Sequence, residues 1–128
     1  MTKMEWTSIT DCAYDATITL VSSDPAVITI QLKDFSGHDL KVPASVMAWV
    51  SSTATGIDPS ALSSEIALTG SGDGAVLIHL SHYLYQLMSE ADGDIDITIT
   101  DTGDTAQYLT LLMPNGKLVV SEHLVFVS

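Results

Sequence analysis

Between Asp94 and Val125 the chain carries the pattern that most restricts its fold. Ile95, Ile97 and Ile99 alternate with Asp96, Thr98 and Thr100, an apolar-in, polar-out period of two that belongs to a half-buried β-strand. After Asp101–Tyr108 come a second apolar run, Asn115-Gly116, and a third run, Lys117–Val120. Asn-Gly between two such runs is a hairpin signal, because both central residues of a type I′ turn need positive φ. An antiparallel β domain follows from these residues alone; a chemistry does not.

The rest of the chain reads the same way. Thr17–Val21 is a strand, and Ser22-Ser23-Asp24-Pro25 is a turn built from residues that favour one. Val27–Lys33 alternates with Ile28, Ile30 and Leu32 on one face. Asp34–Asp39 reverses the chain, and Leu40–Ser51 returns with Val42, Ala44, Val46, Ala48 and Val50 inward, opposite Met47 and Trp49. Pro43 cannot donate to a ladder, which predicts an edge or bulge there. Ser52–Gly74 reads as a long loop with a short strand at Ile66-Ala67-Leu68, and Ala75–Leu80 as a strand. Tyr83–Met88 fits either period; its aromatics and all-β surroundings favour a strand over Tyr85–Ser89. About seven short strands separated by turns predict an antiparallel β-sandwich. Residues 1–13 form an N-terminal arm or short first strand and residues 14–128 a single domain, with no repeat and no composition shift.

Length and composition support one stable core. The chain has 128 residues, 46% of them hydrophobic, enough to bury a core without covalent staples. No run of 18 apolar residues is present to span a bilayer. Met1–Trp6 lacks the apolar stretch of a secretory signal, so cytoplasmic synthesis and assembly are expected. Cys12 stands alone, which rules out an internal disulfide, and it has no nearby cation to activate it. Sixteen acids face four lysines and no arginine, for a net charge of −12. Phosphate backbones and anionic lipids both require cations, so neither nucleic acid nor membrane is an expected partner. The acidity instead keeps an exposed protein soluble.

No motif rises to a catalytic or metal site. Asp92-Gly93-Asp94-Ile95-Asp96 alternates carboxylates as a calcium loop does, but the sixth and twelfth positions, Ile97 and Gly103, are not the required Gly and Glu. His79 and His82 are three apart while His38 and His123 stand alone, a spacing that does not assemble a zinc site. Gly70-Ser71-Gly72-Asp73-Gly74 lacks the Lys-Ser/Thr of a phosphate loop. No nucleophile–base pair stands out, and neither enzyme activity nor a cofactor is expected. Trp6, Tyr14, Trp49, Tyr83, Tyr85 and Tyr108 are candidates for a sugar-stacking face, although strand aromatics more often fill cores and interfaces.

Two resemblances extend this reading. Asp104-Thr105-Ala106-Gln107-Tyr108 resembles the Asp-x-Ala-x-Tyr motif of immunoglobulin domains, where the tyrosine forms a corner. Thr110 stands where the second cysteine would be, and Trp49 resembles the core tryptophan of that fold. Ile28–Leu40 is similar to bacterial Ig-like domains of surface adhesins and phage virions. Ser89–Thr100 and Leu112–Ser121 resemble small structural proteins of tailed bacteriophages. The resemblance implies an Ig-like sandwich acting as a non-enzymatic virion component, a decoration or stabilising protein on the outer head surface. Its implied partners are the major capsid protein or other virion proteins, with a homo-oligomer compatible. The alternative is a tail or tail-fibre component that contacts the host surface or its glycans. A small carbohydrate-binding or calcium-dependent adhesion module is a third reading. In the decoration reading an apolar face or edge docks while the acidic face stays in water, with Met4, Trp6, Ile57 and Leu62 as candidate contacts.

Overall fold

The computed structural model describes residues 13–22, 25–102 and 108–124. Among them are nine strands and no helix: β1 (Asp15–Ser22), β2 (Ala26–Lys33), β3 (Ser45–Ser51), β4 (Ala67–Leu68), β5 (Ala75–Leu80), β6 (Leu84–Met88), β7 (Asp94–Ile99), β8 (Tyr108–Leu112) and β9 (Leu118–Val120). They form a four-stranded sheet, β1-β2-β7-β4, and a five-stranded sheet, β5-β6-β3-β8-β9, and every pairing is antiparallel. The two sheets pack as an Ig-like sandwich, with nine strands rather than the expected seven.

Alternation builds the core. Registry places Ile18, Ile30 and Ile95 in one row across the first sheet, and Leu20, Ile28, Ile97 and Leu68 in the next. From the second sheet, Val76, Leu87 and Val46 face them, as do Tyr85, Ala48, Leu111 and Val119. Ile28, Ile30, Leu32, Ile95, Ile97 and Ile99 have no exposed surface. Full burial of each such side chain favours the fold by about 1.5–3 kcal/mol.

The neighbours β1-β2-β7-β4 and β3-β8-β9 follow the ABED and CFG arrangement of immunoglobulin domains. β6 and β5 extend the second sheet beyond β3, but the outermost strand, β5, comes before β6 in the chain. Thr110 is buried in β8, but it pairs in register with Trp49 on the outward side, so it does not take the inward place of the fold's cysteine. Tyr108 opens β8 with its ring edge-on to His123, centroids 5.3 Å apart; Asp104–Gln107 lie outside the described residues. Trp49 departs from the core tryptophan it resembles. It points away from the core, because Val46, Ala48 and Val50 take the inward positions of β3.

Three turns share one design. Gly37, Gly93 and Gly116 each donate their N–H to the carbonyl three residues back, and each has φ between 79° and 88°. The flanking pairs Asp34/His38, Glu90/Asp94 and Met113/Lys117 close the loops through bonds of 2.9 Å. This is a three-residue loop with a type I turn and a left-handed glycine. The Asn115-Gly116 hairpin therefore forms, but not as type I′: only Gly116 has positive φ, since Pro114 at the second turn position sets a type I geometry. The strand expected over Leu40–Ser51 begins only at Ser45. Pro43 precedes it and owes no ladder bond, so β3 lies inside its sheet and not at an edge.

Candidate interaction face

The two outward surfaces of the sandwich differ in kind. On the four-stranded sheet the outward residues include Thr17, Thr19, Thr29, Gln31, Asp94, Asp96 and Thr98. The five strands of the other sheet, Ser-Val-Met-Ala-Trp-Val-Ser, Ala-Val-Leu-Ile-His-Leu, Leu-Tyr-Gln-Leu-Met, Tyr-Leu-Thr-Leu-Leu and Leu-Val-Val, contain no Asp, Glu, Lys or Arg. Registry puts Leu77, Leu84, Met88, Met47, Leu112 and Leu118 on the outside of that sheet. Leu77 and Leu80 are 54% and 57% exposed. Water-facing apolar side chains that form a contiguous surface mark an interaction site.

Two shallow grooves cross this face. One, of about 310 Å³, is walled by Trp49, Pro59, Leu80, Tyr83 and Leu84. Its tryptophan is fixed by a 2.7 Å bond from Nε1 to the Gly56 carbonyl. The other, of about 290 Å³, lies between Met47, Gln86, Leu112 and the Pro114–Gly116 turn. Apolar walls with few polar groups suit a protein side chain better than a sugar, whose hydroxyls need partners. Tyr85, named with the sugar-stacking candidates, is a core residue with no exposed surface.

Beside the first groove, Glu65 clasps the β5–β6 turn. Its carboxylate accepts from the Ser81 hydroxyl, from the Tyr85 hydroxyl at 2.6 Å and from the His82 backbone N–H at 3.1 Å. These donors, Ser81 first, hold Glu65 below the usual carboxylate range. Burial, and then the facing carboxylate, push the Tyr85 phenol up. His82 has φ +68°, the left-handed region, a strained conformation for a side-chain-bearing residue. A carboxylate so well supplied with donors has little affinity for the Ser81 proton, so the cluster acts as a clasp that holds the turn.

On the opposite surface, the carboxylates of Asp73, Glu90 and Asp96 lie within 4.8 Å of one another, as do those of Glu90, Asp92 and Asp94. Asp94 is pushed up to about 7 by burial, by its hydrogen bond with Asp96 and by the charges of Asp96, Asp92 and Glu90. The folded state thus holds this proton more tightly than the unfolded chain does. Its contribution to stability is complete below the usual carboxylate range and is lost as pH rises through about 7. Asp94→Asn should accordingly stabilise the protein at pH 8 by about 1 kcal/mol, after allowing for solvent screening. At pH 4 the gain should vanish. Thermal melts at both values check this, and an equal shift at each would refute it.

Of the four contact residues chosen from sequence, the two that are described, Ile57 and Leu62, lie in different surroundings. Ile57 is 67% exposed in the loop after β3, whereas Leu62 is 4% exposed and belongs to the core. Leu62 therefore offers no surface to a partner, because its backbone N–H binds the His82 carbonyl and draws the loop inward. Met4 and Trp6 lie outside the described residues. Sequence reasoning missed Leu77, Leu80, Leu84 and Leu112; only strand pairing reveals that their uncharged strands all fall in one sheet. Comparison with known protein families, with characterised proteins and with solved structures gives no match.

Proposed function

We propose that this protein is a non-enzymatic structural component of a tailed-phage virion, a decoration protein that docks on the outer head surface through the uncharged five-stranded sheet. The segregation of charge supports this reading: the outward side of one sheet carries Asp94 and Asp96 among threonines, Gln31 and Val27, and the other sheet has no acid or lysine in any strand. An apolar sheet face buries against a neighbouring protein surface without desolvating charge. The acidic sheet then faces water and resists further association. The grooves beside Trp49 and Met47 receive side chains of the shell and fix the orientation.

The test mixes purified protein with expanded capsids and with tails, sediments each, and images the pellets by electron microscopy. Met47→Lys should weaken capsid binding at least about tenfold, since a lysine buried there loses its hydration. Thr17→Lys, on the acidic sheet, should bind as the parent does. Capsid binding unaffected by Met47→Lys, or binding to tails alone, would defeat the head-decoration reading.

A further inference from the structure

A sandwich of two open sheets has four edges, and three are protected. β4 has two residues and β9 three, too short to template another strand. β9 is also flanked by Lys117 and Glu122. β1 opens with Asp15, paired to Lys117 at 3.0 Å, and shifts register between Leu20 and Ser22. Short length, charge and irregular pairing are the usual means of blunting an edge.

The fourth edge, β5, is six residues long and has neither charge nor proline. Its pairing with β6 stays regular from Ala75 to Ile78 and shifts only near Leu80. Beyond Val76, which packs on the core, both of its faces are largely open to water. Leu77 points outward and is 54% exposed; Ile78 points inward, beside Tyr85 in register, and is still 53% exposed. The strand overhangs the opposite sheet.

We propose that β5 is the seam of a two-fold dimer in which it pairs antiparallel with β5 of a second copy, joining two five-stranded sheets into one of ten. Charge argues for a second copy as the occupant. Each chain carries a net charge of −12, so copies can meet only where acids do not oppose acids, and among the described edges β5 is the one strand longer than three residues that holds no charge. The sequence is also complementary to itself. With Leu77 on the two-fold axis, Leu77 meets its twin and Val76 meets the twin of Ile78. Apolar side chains then meet across both faces of the seam, as cross-strand pairing requires. A self-complementary patch of this kind generates a closed dimer. Antiparallel pairing keeps the two uncharged outer faces on the same side, so the dimer presents the docking face twice. The pairing itself does not depend on what that face binds.

The experiment is sedimentation equilibrium of the full chain over a wide concentration range. The parent should populate a dimer. Leu77→Lys should raise its dissociation constant at least about tenfold, and Ile78→Lys should act alike, with far-UV circular dichroism unchanged in both. Met47→Lys, on the sheet face, should leave the dimer intact even where it removes capsid binding, which separates this proposal from the one above. A parent that stays monomeric, a dimer indifferent to both β5 variants, or a dimer lost equally in Met47→Lys would each overturn it.

Discussion

Gly74→Ala is expected to lower stability by about 3–5 kcal/mol, combining backbone strain with overpacking. Gly74 has φ +114° at the entry to β5, a conformation that L side chains avoid. A Cβ there would stand 2.5 Å from the Met88 carbonyl oxygen and 3.4 Å from Ile95 Cγ2. The carbonyl cannot retreat, because Met88 pairs with Ser45 on one side and with Ala75 on the other. Gly72→Ala supplies the control: φ is +83° but nothing lies within 4 Å of the added carbon. That variant should cost about 1 kcal/mol, the strain alone. Urea unfolding of both separates the two effects, and equal losses would show that contact with Met88 is not the cause.

Ile97→Ala should cost about 3–4 kcal/mol, and Ile97→Val about 1 kcal/mol. Ile97 sits in the middle of β7 with no exposed surface, between Ile28 on β2 and Leu68 on β4. Neighbours held in strands on both sides cannot close over the cavity, so the loss includes both transfer and void. A graded series by thermal or urea denaturation checks the prediction. A loss below that of the valine variant would mean that the sheets collapse together where the packing here keeps them apart.

Where a strand is buried on one face only, its residues announce it. Ile28, Ile30 and Leu32 alternate with polar neighbours, as do Ile95, Ile97 and Ile99, and all six are fully buried. The strand favoured for Tyr85–Ser89 is present as β6, Leu84–Met88. The short strand at Ile66–Leu68 is present as β4. The candidate face was not legible for the opposite reason. Ala75–Leu80 is apolar at nearly every position, which reads as a strand covered on both sides, yet it is the exposed edge. No local pattern reports which strands share a sheet, since pairs such as Met47 with Leu112 join distant parts of the chain. Leu62 lies in a serine-rich segment, yet the bond from its N–H to the His82 carbonyl turns it inward.

The pairing of β2 with β7 governs the order in which this protein can be made. Ile28 and Ile30 find Ile97 and Ile95 only after more than sixty intervening residues have left the ribosome, a wait of several seconds at about 5–20 residues per second. Until then β1–β2 is a lone hairpin, marginal in water by itself, and β3 has no β8 beside it. Closing so long a loop is entropically costly before any contact offsets it. The nascent chain therefore carries most of its core uncovered through most of synthesis, and its acidic residues repel neighbouring chains on the same messenger during that interval.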